Sequence, residues 1–394
     1  MSDSHFVDLD PVDFFGVFEG LSASQRKAWR ALSRMLREHV VPVADRAWMD
    51  GVFPREVIPH FGTFARAHLA PEGYQWPPTD PLLMGLVKLE LGRVDPSMAS
   101  FFAVHWGLAM SCIASFGSDA QRDRWLDPMV GFEAIGSFAL SEPLVGSDAS
   151  RGLTCTATRE GAGWRLQGEK KWAGNATIAD VLVVIARGEE GEVLGFLVEP
   201  GQDDVVLTRI EDKIAKRSVE NVVMRLDVVV PESARLPGLR SFGQVAATLG
   251  MGRYAVAWEA CGIAMGAYEA AHRYTMERQQ FGRPIAGFQL VQDKLVTMLA
   301  EITAMQCLLM QAARRVQTGQ FDGPQAALAK RTCAQKMRQV VSLAREVLGG
   351  NGILVEHGVA KLFADAEAVY SYEGTHEMNT LIVGRQITGL SAFV

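Results

Sequence analysis

Near the C-terminus, the stretch VYSYEGTHE over residues 369–377 sets a carboxylate, Glu373, between an aromatic ring and a glycine. Thr375 and His376 follow at once. Two readings are open. A general base wants partial burial, which raises its pKa, and a flexible backbone step that lets a substrate approach; Tyr372 and Gly374 offer both. An acidic residue at a helix N-terminus, with Thr375 as the cap, uses the same letters. A solvated surface glutamate needs neither neighbour.

Other segments carry donors or close-approach backbone. In GSFALSEPLVGSDAS, residues 136–150, Gly146-Ser147-Asp148 can turn so that backbone N–H groups and a hydroxyl face an anion such as phosphate. An ordinary Asx-type turn fits the same residues. EKKWAGN places Trp172 near the end of an expected strand, either buried as core or laid flat on a cofactor. ERQQFGRPIAGFQ offers Arg278, Gln280, Arg283 and Gln289 as donors and Phe281 as an aromatic face, although arginines near a helix C-terminus also suit the helix dipole. LGGNG, residues 348–352, allows close backbone approach or stops a helix. Neither GxGxxG nor a Walker A sequence occurs, which disfavours a Rossmann or P-loop nucleotide site. The eight histidines show no metal-ligand spacing, and His376 reads as a polar loop residue.

The elements that must position these residues fall into three textures. Residues 22–130 are helical: SASQRKAWRALSRMLREHVV steps Trp29, Leu32, Leu36 and Val40 along one face, with Ser22 or Ser24 as cap. A Pro-rich loop over 71–81 interrupts them. From about Ile135 to Leu236 the segments are short, β-branched and separated by Gly-rich turns, predicting an antiparallel β unit with a hairpin at REGAGWRLQG. From Gln244 onward long helices return, the first with Ala and Gly on its apolar face, predicting a closely packed antiparallel bundle.

Composition narrows the class. A chain of 394 residues, nearly half of them apolar, is long enough for two or three packed units. The formal charge of -6 spreads over 39 basic and 45 acidic residues without a run of either sign, which argues against nucleic-acid binding. Five widely spaced cysteines without CxxC suggest no zinc site and no disulfide framework, consistent with a reducing cytoplasm. The acidic N-terminus MSDSHFVDLDPVDFF lacks signal-peptide order, and no apolar run is expected to span a membrane.

Taken together, these segments resemble the acyl-CoA dehydrogenase family of flavoproteins, most closely its glutaryl-CoA dehydrogenase branch, from about Leu21 to the C-terminus. GSFALSEPLVGSD resembles the family's flavin-binding entry, RQQFGRPIAGFQ its helix-bundle signature, and YEGTHEMNTLIVGRQITGLSAF the glutaryl branch's end. The resemblance implies an α+β fold with an N-terminal helical domain (1–133), a middle antiparallel β-domain (134–237) and a C-terminal four-helix bundle (238–394). It implies a homotetramer that binds FAD between β-domain and bundle, takes an acyl-CoA substrate and passes electrons to an electron-transfer flavoprotein. Phe138, Leu140 and Ser141 would meet the isoalloxazine, Gly146 and Ser147 the pyrophosphate, and Trp172 one ring face near Gly174. Arg278, Phe281 and Gln289 would hold the dinucleotide across a subunit interface with Glu346, Gly349 and Gly350, while Thr375 and Glu377 reach it from the catalytic loop.

By the same resemblance, Glu373 is the base that takes the α-proton of an acyl-CoA thioester while a β-hydride passes to the flavin. Hydrogen bonds to the thioester oxygen, one from the Glu373 N–H, must acidify that proton. Ser147, Gly250, Arg253 and Gly374 would touch the substrate. Some relatives place the base beside the family arginine on the first bundle helix; that position is Gly252 here, which leaves Glu373.

Three departures modify the expectation. Where the glutaryl branch carries an Arg and a Ser for the distal carboxylate, LGRVDPSMASFFAV has Ala99 and Ala103, flanked by Met98, so the acyl end reads as apolar. An unpaired carboxylate buried there would cost several kcal/mol, which predicts dehydrogenation of an uncharged acyl chain without decarboxylation. Gly174 stands where the family has a Thr or Ser whose hydroxyl bonds flavin N5, and Gly250 where it has an Asp or Asn for the pantetheine arm. Glutaryl-CoA decarboxylation, a non-oxidative elimination on the same scaffold, and a binding protein of negligible turnover are the alternatives.

Overall fold

A computed structural model describes residues 12–392 except 76, 77, 79, 202 and 203. The first eleven residues of the acidic N-terminus and part of the Pro-rich loop lie outside the described residues.

Helix α1 (Ala23–Met35) begins at Ser22, whose side chain accepts from Gln25 N while Gln25 accepts from Ser22 N at 2.9 Å. This reciprocal cap satisfies two donors that a helix start otherwise leaves open. The expected stripe is buried: Leu32, Leu36 and Val40 are fully enclosed. A π-helical step over Leu36–Val40 leads into α2 (Val41–Asp50), then α3 (Ile58–His68) and α4 (Pro81–Val94). After α5 (Pro96–Phe102), a π-helical segment Ala103–Met110, α6 (Ser111–Phe116) and α7 (Asp119–Val130) complete the helical part.

The middle part is a curled seven-stranded sheet among the described residues: β1 (Gly136–Ala139), β2 (Thr156–Glu160), β3 (Gly163–Ala173), β4 (Val181–Gly188), β5 (Val193–Val198), β6 (Val205–Arg209) and β7 (Val222–Pro231). A short helix, α8 (Ala149–Gly152), follows β1. The β2–β3 hairpin falls where the sequence predicts it, and β3–β7, β6–β7 and β4–β5 are also antiparallel. The sheet is mixed, however: β4 pairs parallel with β1 and β2. Strands so far apart in sequence can be joined this way because long connections return the chain in the same direction. One sheet face packs on the N-terminal helices and the other closes its own core around Trp164, Phe196 and Met224.

The last part is built on α9 (Phe242–Glu277), a small hairpin β8 (Gln279–Gln280) and β9 (Arg283–Pro284), α10 (Gln289–Gln317), α11 (Gly323–Val347), α12 (Val359–Ser371) and α13 (His376–Thr388). Glycine decides how α4 enters it. A Cβ on Gly262 would lie 1.9 Å from the Leu89 carbonyl oxygen, and one on Gly92 2.5 Å from that of Glu259. Only hydrogen at these positions lets the two helices touch backbone to backbone, which sets Lys88 of α4 against Glu259 of α9. Two helical stretches, Pro96–Phe116 and Gln289–Gln317, are long and apolar enough to span a membrane, contrary to the sequence expectation. The first contributes Met98, Phe101 and Trp106 to the core, and the second packs Met298, Ile302 and Leu309 into the bundle.

Candidate active site

The α12–α13 turn carries Glu373. Tyr372 ends α12, Glu373 takes φ +53° and Gly374 φ +82°, and Thr375 caps α13 by accepting from Met378 N at 3.2 Å. Both readings of the stretch therefore have a residue: Thr375 is the cap, and Glu373 lies before it, outside the helix. A left-handed glutamate is uncommon and needs support from its surroundings. Lys330 of α11 donates to the carbonyls of Tyr370 (2.8 Å) and Gly374 (2.9 Å), and Asn379 donates to those of Gly374 (2.8 Å) and Thr375 (3.0 Å).

The Glu373 residue as a whole is half-buried. Oε2 is buried and has no hydrogen-bond partner among the described residues. Burial pushes the Glu373 carboxyl up to about 7; Arg253, Lys330 and Lys88 pull the other way, and Glu259 adds to the rise. A Cβ on Gly252 would sit 2.7 Å from this oxygen, so the helix position that could carry a rival base is filled by the Glu373 carboxylate itself. Arg253 next to it has a buried Nε without a partner among the described residues, and burial lowers its pKa. Gly250, one turn back on α9, faces open space.

Beneath Tyr372 lies a buried charge cluster that the sequence reading did not anticipate. Glu259, 1% exposed, accepts from the Tyr372 hydroxyl at 2.8 Å and pairs with Lys216 at 2.5 Å and Lys88 at 3.2 Å. Lys88 also donates to the Ala99 carbonyl at 2.6 Å, and Lys216 to that of Pro96. Burial opposes charge on Glu259, but the two ammoniums outweigh it and hold its pKa below the usual value. Met98 and Ala99 are buried and Ala103 half-buried, so the expected acyl end is apolar in its side chains while two lysines reach its backbone. The signal was present: Lys88 interrupts PLLMGLVKLELG and Glu259 interrupts AVAWEACGIAMG, each a charge inside an apolar helical run.

The residues expected at a cofactor form two further groups. In the first, Phe138 and Leu140 are buried at the β1 end, and the Ser141 carbonyl accepts from Lys171 N at 2.8 Å. Glu142 pairs with the buried Lys170 at 2.8 Å, anchoring the turn that exposes Gly146 and Ser147. Trp172 sits at a β3 irregularity with φ +71° and is 51% exposed, which corrects the reading of a buried structural ring. The Gly174 carbonyl accepts from Ser137 Oγ at 2.7 Å, and a Cβ there would approach Val104 to 3.3 Å.

In the second group, Arg278, Gly349 and Gly350 line a cleft of about 290 Å³ with Tyr274, Gln280 and Leu348. Gly349 needs its φ of +58° where α11 gives way to a 3-10 turn. Phe281 at the tip of β8–β9 has φ +51° and is 94% exposed; Gln289, the first residue of α10, is exposed, and Glu346 pairs with Lys294 at 3.0 Å. Glu377 lies exposed in the first turn of α13.

Comparison with known proteins decides the lineage. Residues 22–133 match the acyl-CoA dehydrogenase N-terminal domain, residues 137–229 the middle domain and residues 242–388 the C-terminal domain. The chain belongs to the acyl-CoA dehydrogenase family. It superposes on a glutaryl-CoA dehydrogenase from Mycobacterium smegmatis with TM-score 0.91 and 35% identity, over 97% of this chain and 99% of that one. A second such structure, a glutaryl-CoA dehydrogenase from Mycobacterium smegmatis in complex with FADH2, gives TM-score 0.93 and 29% identity over 98% and 99%. The mitochondrial short-chain specific acyl-CoA dehydrogenase of Rattus norvegicus is 30% identical over 355 residues, 88% of this chain and 85% of that protein. The family fold of helical N-terminal part, central sheet and helical C-terminal part is the one described above, and the chain is an enzyme of acyl-CoA dehydrogenation with FAD as cofactor. The exposed Trp172 ring, the open turn at Ser147 and the glycine-lined cleft at Arg278 fit a large dinucleotide with a flat ring system and a pyrophosphate.

Proposed function

We propose that this enzyme removes the α-proton of an uncharged short or medium acyl-CoA with Glu373, without decarboxylation. One observation carries the reading: a carboxylate whose buried Oε2 has no partner among the described residues, its pKa pushed up to about 7, held in a left-handed step beside Gly252 and Arg253. A base of that pKa is ionised in a useful fraction near neutrality and strong enough to accept a proton that hydrogen bonds to the thioester oxygen have acidified. The Cα–H electron pair becomes the new double bond as the β-hydride leaves. Bound FAD supplies the acceptor for that hydride. Trp172, Phe138, Leu140 and Ser141 line the ring side, Gly146 and Ser147 the phosphates, and Arg278, Phe281, Gln289, Glu346, Gly349 and Gly350 the distal part from a neighbouring copy in a homotetramer. Ser147, Gly250, Arg253 and Gly374 take the thioester and its carrier arm, and Thr375 and Glu377 complete the loop side. The units 1–133, 134–237 and 238–394 act as one subunit of a soluble cytoplasmic enzyme that reduces an electron-transfer flavoprotein.

Two lysines favour a second reading. Lys88 and Lys216 bring positive charge to the Ala99 end, which suits oxidative decarboxylation of glutaryl-CoA. Both are already engaged with Glu259 and with backbone carbonyls, so the neutral acyl chain ranks first. Anaerobic titration with butyryl-, isobutyryl-, isovaleryl-, hexanoyl- and glutaryl-CoA, following flavin absorbance and carbon dioxide, separates the two. Bleaching by a neutral thioester and none by glutaryl-CoA is expected. Bleaching by glutaryl-CoA with release of carbon dioxide would overturn the neutral-chain reading.

A further inference from the structure

Glu259 joins four parts of the chain at one buried carboxylate. It lies on α9; its oxygens take Lys88 of α4, Lys216 of the β6–β7 connection and the hydroxyl of Tyr372 at the end of α12. Ser100 of α5 also reaches the Tyr372 hydroxyl, and the Lys216 ammonium stands 5.7 Å from the centre of the Tyr372 ring. Stability alone does not call for such an arrangement. Taking charges out of water costs several kcal/mol each, and well-packed apolar residues of the same volume would serve the fold as well or better. The neighbour that benefits is the next residue in the chain. Tyr372 is the last fixed point before the backbone turns left-handed at Glu373.

We propose that Glu259 is a positioning residue for the base: held between Lys88 and Lys216, it takes the Tyr372 hydroxyl and so fixes the ring from which the Glu373 step swings its carboxylate against Gly252. The inference rests on Glu373 being the base. Lys330 separately grips the Tyr370 and Gly374 carbonyls on either side of the same step in the chain. The Glu259 contact has an electrostatic counterpart. The groups facing the Glu373 carboxylate are Arg253 and Glu259 from α9, Lys88 from α4 and Lys330 from α11. The cluster under Tyr372 holds two ammoniums against one carboxylate, so removal of a lysine and removal of the glutamate push the ionisation of Glu373 in opposite directions.

The test uses the FAD-loaded enzyme and butyryl-CoA, or whichever thioester bleaches it, in stopped-flow flavin reduction at a series of pH values. Tyr372→Phe deletes only the hydroxyl, and Glu259→Gln keeps the shape of the acceptor while removing its charge. Each should lower the limiting bleaching rate on the order of tenfold, as expected for a misaimed reacting group, with half-saturation, flavin content and melting temperature close to wild type. The midpoint of the pH profile should rise in Lys88→Met, fall in Glu259→Gln and return toward wild type in the double variant. If Glu259→Gln does not fold, Tyr372→Phe still carries the rate test and Lys88→Met the midpoint test.

Unchanged limiting rates in Tyr372→Phe, or midpoints that stay put or move the same way, would overturn the proposal and leave Glu259 as a buried structural ion. Failure of the base assignment looks different: Glu373→Gln would then bleach as wild type does, whatever happens at Glu259.

Discussion

Two residues of this chain hold almost the same improbable backbone angle for opposite reasons. Glu373 has φ +53° and Phe281 φ +51°, both in the left-handed region that a bulky side chain avoids. Around Glu373 the strain is over-determined from within the chain: Lys330 and Asn379 hold the carbonyls, Tyr372 is tied to Glu259, and the carboxylate abuts Gly252. Phe281 sits at a two-residue turn whose second member, Gly282, has φ +79°; the ring is 94% exposed and touches Phe288 edge-on at 6.0 Å. Strain of this kind persists only when something repays it. At Glu373 the repayment comes from this subunit. At Phe281 it falls to a neighbour in the proposed homotetramer.

The contrast can be attacked from either side. The largest effect should follow Gly252→Ala, because a methyl group would have to displace the Glu373 carboxylate; the bleaching rate should fall on the order of 10²-fold with flavin content unchanged, measured by anaerobic stopped flow. A rate near wild type would mean that the base moves freely. Lys330→Met comes next. It strips the side-chain donor from the Tyr370 carbonyl and one of two from that of Gly374, and should lower unfolding stability by about 1–3 kcal/mol in a denaturant titration.

A third expectation concerns pH. The folded pKa of Glu373, about 7, lies above its ordinary 4.5, so between those values the folded chain binds more protons than the unfolded one. Stability therefore falls as pH rises across that window, and Glu373→Gln should flatten this part of the slope in melting curves of the flavin-free protein. The smallest effect on the chain belongs to Phe281→Gly, which relieves about 1 kcal/mol of backbone strain. Its melting temperature should hold or rise slightly, while sedimentation shows weakened assembly and the protein retains less flavin. Unaltered assembly would place the support for Phe281 elsewhere.

How much of this was legible depended on whether the decisive contacts were local. The Ser22 cap, the β2–β3 hairpin and the stop at Gly349 depend on residues a few positions apart, and each lies where its sequence signal puts it. The Glu373 stretch could be singled out because its neighbours were unusual in themselves. The parallel pairing of β4 with β1 was not readable, since a run such as DVLVVIARG gives no sign of which partner it will meet. Nor was the Lys88–Glu259–Lys216 cluster: its members are 43 or more residues apart along the Lys216–Glu259 pair, and only the backbone contact of α4 with α9 brings Lys88 in. Each charge stood out in its own helix, but one sequence could not show that they answer each other. For Trp172 the strand pattern alone left a core ring and an outward ring both open, because the irregularity that turns it outward has no reliable local signature.

The central claim is that Glu373 takes the substrate proton, and the most direct measurement is stopped-flow flavin bleaching by a neutral acyl-CoA in wild type and Glu373→Gln between pH 5.5 and 9. The account predicts a wild-type rate that rises with pH through a midpoint near 7, with the Gln variant slower by about 10²–10⁴-fold, flat across pH and still flavin-loaded. A Gln variant that bleaches at the wild-type rate would contradict it.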